Sequence, residues 1–180
     1  MVSDYWKFKR LGGGEKMRPA IEAVIQHCKK DIVGAEVGVY EGGHAKDILK
    51  NDNIKKLYLI DTFELKGLMQ NIAPFLDRIN LMIPMSSEDA SKKIPDKSLD
   101  FVYVDADHTY ENCKKDLNLW WGKVKDGGIL CGHDFSVDML GVVRAVVEFT
   151  LENRLQLSNV NTYDPMQKAC SNCDWWIYKC

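Results

Sequence analysis

The sequence predicts an α/β fold, a mostly parallel sheet of seven strands with helices on both faces. Three observations predict it. Short apolar runs alternate with stretches of helical spacing from Met17 almost to the C-terminus. The run Leu57-Tyr58-Leu59-Ile60 is apolar without alternation, as a parallel strand covered on both faces is. Between the first run and the next helical stretch lies Ala35-Glu36-Val37-Gly38-Val39-Tyr40-Glu41-Gly42-Gly43, a strand, a glycine turn and a helix start.

The elements follow in order. Met17, Ile21, Val24 and Cys28 recur at helical spacing and predict a helix over Met17–Lys30, with Pro19 in its first turn. Ile32–Val39 is the first strand, and His44–Lys50 the helix after the glycine turn. Leu57–Ile60 is the second strand and ends at Asp61. A helical stretch over Leu65–Leu76 is interrupted by Pro74. Ile79–Ile83 is the third strand, and Ser87–Lys93 a short helix capped by Ser86 or Ser87. Leu99–Val104 is the fourth strand and ends at Asp105. Tyr110, Cys113, Leu117, Trp121 and Val124 make one buried stripe on a helix over Thr109–Val124. Gly127-Gly128 turns the chain into a fifth strand, Ile129–Cys131, which ends at His133-Asp134. Met139, Val143, Val146 and Thr150 line a sixth helix. Two late strands fall near Leu155–Val160 and Trp175–Tyr178.

Composition bounds the function. A chain of 180 residues is expected to form a single domain over residues 17–180, preceded by an arm over residues 1–16 with a Gly12-Gly13-Gly14 joint. A net charge of -2 offers no basic excess to hold a polyanion, which argues against nucleic acid as a partner. No apolar run has the length of a signal peptide or a membrane span, so the expected location is cytoplasmic, with no membrane partner. Cys28, Cys113 and Cys131 read as small hydrophobes. Cys170, Cys173 and Cys180 cluster, but a single C-x-x-C lacks the second pair of a zinc site, and reduced thiols are the expectation.

In open α/β sheets ligands bind beyond the carboxyl ends of the strands. That edge collects the glycine turn, Asp61, the Met85-Ser86-Ser87 segment, Asp105 with Asp107 and His108, and His133 with Asp134. Two histidines beside aspartates make an acid–base or metal site there. The turn reads E-x-G-x-x-x-G, not the tighter G-x-G-x-x-G of nicotinamide enzymes. A carboxylate at Glu36 repels a pyrophosphate and suits a cationic cofactor. Bland readings stand beside these: Asp61 and His108 as turn or helix caps, His133 and Asp134 as turn formers, His44 as an exposed helix residue.

Glu36-x-Gly38-x-x-x-Gly42, Asp61 and Gly127-Gly128 resemble class I S-adenosylmethionine-dependent methyltransferases over about Asp31 to Phe135. Phe101-Val-Tyr-Val-Asp-Ala-Asp-His-Thr-Tyr-Glu111, with the later Gly-Gly-Ile-Leu-Cys-Gly-His-Asp134, looks like the small bacterial O-methyltransferases of the macrocin and catechol type. The resemblance implies a Rossmann-like sheet whose last strand is antiparallel. It implies that Glu36, Gly38, Gly42 and Gly43 hold the methionine part of S-adenosylmethionine, and that Asp61 takes the ribose hydroxyls. Thr62, Phe63, Met85, Ser86 and Ser87 would surround the adenine, with Asp105 under the reacting methyl. A hydroxyl acceptor must lose its proton, and imidazole titrates near neutrality, so Asp105 and His108, with His133, are the expected catalytic residues unless a metal lowers the hydroxyl's pKa. Metal-dependent relatives imply a divalent cation on Asp105, His133 and Asp134; the histidine widens the choice from magnesium to manganese, iron or zinc. The implied acceptor is a small molecule with a sugar-like or phenol-like hydroxyl. The rival readings are an NAD-dependent oxidoreductase and a non-catalytic nucleoside-binding module. The oligomeric state is not written in the sequence.

Overall fold

The computed structural model describes residues 17–63, 66–164 and 169–180, with side chains outside 161–172. The arm expected over residues 1–16 and the side chain of Cys170 lie outside the described residues.

The expected alternation is present. In order the chain forms α1 (Pro19–Cys28), β1 (Ile32–Val37), α2 (Gly43–Leu49), β2 (Ile54–Ile60) and α3 (Leu68–Ile72). After α3 come a 3₁₀ turn (Ala73–Arg78), β3 (Ile79–Met82), α4 (Ser87–Lys93), β4 (Leu99–Val104) and α5 (Tyr110–Trp121). The last elements are β5 (Val124–Gly132), α6 (Leu140–Glu152), β6 (Leu157–Asp164) and β7 (Ala169–Tyr178). Pro74 ends α3 and opens the tighter turn, because it has no N–H to give an α-helix. Ser86 caps α4, its hydroxyl accepting Asp89 N–H at 3.1 Å.

The sheet has seven strands in the order β3-β2-β1-β4-β5-β7-β6. β3, β2, β1, β4 and β5 pair in parallel, and β7 runs antiparallel to both β5 and β6. The order reverses between β1 and β4, which opens a crevice at their carboxyl ends. Alternate residues of β4 feed the two faces. Val102 and Val104 join Leu117, Trp120, Val146 and Trp175. Phe101 and Tyr103 join Ile21, Val24, Ile48 and Leu59.

The helix expected over Thr109–Val124 ends at Trp121, and Val124 opens the next strand. β5 begins at Val124, so Gly127-Gly128 lies inside the strand and does not precede it. Val124 pairs with Leu99 and Ile129 with Phe101, so β5 carries extra residues as a bulge there. A Cβ on Gly128 would stand 2.7 Å from a Val124 methyl and 2.8 Å from the Asp100 carbonyl oxygen. The late strands also extend further than their apolar cores, because a two-strand ribbon needs only backbone pairing at its far end. Among the described residues no helix is long and apolar enough to cross a membrane.

Candidate active site

The site begins at Gly38, the first residue after β1. Its φ is +89°, and an added Cβ would stand 2.0 Å from the carbonyl oxygen of Asp105. Only glycine lets the ends of β1 and β4 meet this closely. Gly38 N–H donates to Ile60 O at 2.9 Å, and Asp105 N–H to Val37 O at 2.8 Å, so three strand ends are tied at one point. Asp61 secures the turn from β2. Its Oδ2 accepts Val39 N–H at 2.8 Å and Tyr40 N–H at 3.0 Å, and its Oδ1 accepts Phe63 N–H at 3.1 Å. Asp61 is therefore a turn cap, and these three bonds leave about one acceptor site on a carboxylate that also lines the cavity.

That cavity has a volume of about 540 Å³. It brings together Gly38, Asp61, Thr62, Phe63, Met85, Ser86, Ser87 and Asp105 from the expected residues. Phe63 is 70% exposed and stands at its rim. Asp107, Glu88 and Asp116 add three carboxylates, against Lys115.

Glu36, Gly42 and Gly43 do not line this cavity. Glu36 is 1% exposed, and its Oε1 pairs with His44 Nδ1 at 2.9 Å. Burial raises its carboxyl, and His44 opposes the rise. Its Oε2, like His44 Nε2, has no hydrogen-bond partner among the described residues. The expectation of an exposed His44 is corrected: the ring is tilted against Tyr103 at 4.4 Å, and its side chain keeps 12% of its exposure. Gly42 caps α2 with φ +77° and packs on Leu68, whereas Gly43 has open space where a Cβ would be.

Asp105, whose carbonyl oxygen closes on Gly38, also belongs to a charged cluster. Arg18, the residue before α1, donates from Nη1 to Asp105 Oδ2 at 2.9 Å and to the Tyr103 hydroxyl at 2.7 Å. Tyr103 donates to the fully buried Asp174 at 3.0 Å, and Asp174 also accepts Ala20 N–H at 2.9 Å. His108 Nε2 lies 2.9 Å from Asp134 Oδ2 and 3.7 Å from Asp105 Oδ1. Burial alone would raise the Asp105 carboxyl; His108 and Arg18 outweigh it and hold the group at about 2. Asp105 lifts His108 above the ordinary imidazole range against partial burial, and Asp134 adds to this.

Asp105, His108 and Asp134 place one ligand atom each within 4.8 Å of one another. His133 stands apart from this set: its Nδ1 is 3.1 Å from Asp134 Oδ1 and its Nε2 is 3.9 Å from Asp174. His108 does not cap α5: the N-cap position is Thr109, whose N–H donates to Asp107 Oδ1 at 2.8 Å in a turn before the helix. Arg18, Asp174 and Asp116 were not found from the sequence. Asp116 hides in the apolar stripe of α5, where a carboxylate between Cys113, Leu117 and Trp120 is the signal. Arg18 carries no local signal, because it reaches its partner across 87 residues. Burial pushes the Cys28 thiol up to about 11 and the Cys113 thiol up to about 12, which fits their reading as small hydrophobes.

A glycine cradle at the switch point, a carboxylate on the next strand and an acidic cavity beside it fit one kind of family. Residues 35–135 match the family described as methyltransferase domain. This chain belongs to that family. The chain shares its fold with solved methyltransferases. An O-methyltransferase from Bacillus cereus in complex with S-adenosylhomocysteine superposes with a TM-score of 0.69 at 16% identity, covering 88% of this chain and 79% of that one. A 1,6-didemethyltoxoflavin-N1-methyltransferase from Burkholderia thailandensis, solved with that compound and S-adenosylhomocysteine, gives 0.70 at 12% identity, covering 91% and 77%. At these identities the likeness is one of fold. An uncharacterized protein of Acanthamoeba polyphaga mimivirus is 27% identical over 117 residues, 59% of this chain. The matched stretch spans 53% of that relative, about half its length.

Proposed function

We propose that this methyltransferase binds S-adenosylmethionine along the Gly38–Asp61 edge and transfers its methyl group to a hydroxyl of a small molecule. The observation that carries the reading is the placement of His108 between Asp105 and Asp134, directly beyond the Gly38 contact. The cavity favours a sulfonium donor. Among the described residues it is lined by Asp61, Glu88, Asp105, Asp107 and Asp116 and by one lysine, a field that repels a pyrophosphate. The NAD-dependent reading fails on the same field and on the wider glycine spacing.

Methyl transfer breaks the S–CH₃ bond as the acceptor oxygen forms the new C–O bond, and the hydroxyl proton must leave. Neutral His108 that donates Nε2–H to Asp134 keeps its lone pair on Nδ1, which takes that proton. Asp105 and Asp134 steady the imidazolium that results. Arg18 fixes the Asp105 carboxylate and keeps it ionised. His133 sits beyond Asp134 as an orienting residue.

Two carboxylates and an imidazole also fit a small divalent cation, by donor type and by spacing. Asp105, His108 and Asp134 would hold it, and when bound it would lower the pKa of the acceptor hydroxyl.

The test pairs binding with turnover. S-adenosylhomocysteine should bind by calorimetry, and labelled methyl should pass to members of a panel of hydroxylated sugars and phenols. His108→Ala should keep the affinity for S-adenosylhomocysteine and cut turnover about 10²–10⁴-fold. Activity that survives chelation assigns the proton to His108 alone; activity restored by one divalent cation assigns it to the metal. Tight uptake of a dinucleotide with indifference to S-adenosylhomocysteine ends the reading.

A further inference from the structure

Asp174 on β7 is fully buried, and the proton path through His108 does not use it. Among the described residues it receives two hydrogen bonds. Its Oδ2 accepts Ala20 N–H at 2.9 Å, and its Oδ1 accepts the Tyr103 hydroxyl at 3.0 Å. His133 Nε2, at 3.9 Å, is beyond hydrogen-bond reach. Both bonds lead to Arg18. Arg18 stands at the N-cap of α1 and makes no side-chain cap there. Asp174 takes the orphan N–H of that first turn instead, two residues on, and so fixes the Arg18 backbone. The side chain is fixed through Tyr103, whose hydroxyl oxygen accepts Arg18 Nη1–H at 2.7 Å. The same nitrogen donates to Asp105 Oδ2 at 2.9 Å. Donor chemistry sets the direction of the chain. A guanidinium only gives and a phenol has one proton, so a Tyr103 oxygen that receives from Arg18 must give to Asp174.

We propose that Tyr103 and Asp174 are positioning residues for methyl transfer: they aim Arg18, and Arg18 in turn holds the Asp105 carboxylate at the reacting end. The inference rests on the methyltransferase reading above. The Arg18 side chain is 30% exposed and that of Asp105 21%. A long side chain at that exposure keeps much of its rotamer freedom, and by itself the pair would be loosely held. Tyr103 and Asp174 are both fully buried, so the oxygen that steers Arg18 is anchored in the core between β4 and β7. Asp174 reaches Arg18 at both ends, backbone and guanidinium, and touches Asp105 at neither.

Turnover and S-adenosylhomocysteine affinity, measured on the same samples of the full chain, test it. Tyr103→Phe keeps the ring in the core and removes the hydroxyl. It should lower kcat about 10–100-fold, the scale of a misplaced reacting group, and leave the affinity within about threefold of wild type. Asp174→Asn should do the same. Its amide must turn an N–H either on Ala20 N–H or on Tyr103, and a donor facing Tyr103 sends the phenol proton back towards Arg18. In an Arg18→Met background neither change should lower kcat further, because both act through Arg18. Losses that multiply in that background overturn the proposal, and so does a Tyr103→Phe kcat within about threefold of wild type. An equal fall in affinity and kcat overturns it too, since that marks general damage and not positioning. Should Asp174→Asn not fold, Tyr103→Phe with and without Arg18→Met decides. A wild type that binds no S-adenosylhomocysteine and transfers no methyl is a different result: it removes the methyltransferase reading, and this proposal with it.

Discussion

A single methyl group added at Gly38 would part the strand ends on which the site is built. Its Cβ would fall 2.0 Å from the Asp105 carbonyl oxygen, and that oxygen belongs to backbone that cannot rotate away. Gly38→Ala should therefore lose more than the roughly 1–2 kcal/mol of a left-handed non-glycine residue. It should also lose S-adenosylhomocysteine affinity, because Asp105 and the Asp61-bonded turn move apart. Urea unfolding and calorimetry on the same sample check both; a variant with wild-type affinity would show that the cradle lies elsewhere. Gly38 was legible because a backbone requirement leaves one residue type. Asp61 and Asp105 were legible because each ends an apolar run. His44 was not. The sequence shows a polar residue at a helix start, whereas the fold turns it against Glu36 on β1 and Tyr103 on β4, contacts that no local pattern announces.

Helix α5 presents Asp116 to the cavity on one side and grips α6 on the other. Glu148 of α6 accepts from the Tyr110 hydroxyl at 2.5 Å, Arg144 Nε at 2.9 Å and Lys114 Nζ at 3.1 Å. Arg144 also lies over the Tyr110 ring at 4.0 Å. The bonds from Tyr110, Arg144 and Lys114 hold the Glu148 carboxyl down at about 2. Its folded pKa is thus below its unfolded one, so its contribution to stability is complete above the unfolded value and disappears as pH falls towards about 2. Glu148→Gln should lower Tm above about pH 5, and the difference from wild type should close on acidification to about pH 2. Thermal melts over that range measure it; a pH-independent difference would assign the effect to packing. At this scale the helices were legible from their stripes, and Ser86 from its capping position. The start of β5 was not, because Lys125-Asp126-Gly127-Gly128 reads as a turn until Leu99 is seen paired with Val124.

The C-terminal ribbon joins the second half of the sheet to the candidate site. The cradle comes from β1, β2 and β4, whereas the His133-Asp134 corner leaves the end of β5, and β7 lies against β5 on its outer side. Two bonds from β7 pin that corner. Trp175 Nε1–H donates to His133 O at 3.1 Å, and Phe135 N–H donates to Cys173 O at 2.8 Å. Asp134 between them has φ +61°, a left-handed conformation that aspartate adopts more readily than most non-glycine residues. Trp175 is 1% exposed and is also part of the core under α6. Trp175→Ala should therefore cost about 3–5 kcal/mol, as large buried aromatics do. Trp175→Phe separates the two roles: it keeps a ring in the core and removes the N–H from His133, at about 1 kcal/mol for the lost bond before any packing loss. With the corner released, Asp134 no longer fixes His108, so turnover should fall while S-adenosylhomocysteine affinity, set by the other half of the sheet, stays near wild type. Turnover that holds in Trp175→Phe would show that β5 by itself keeps the corner in place. A parallel loss of affinity and turnover would show that the sheet responds as one body.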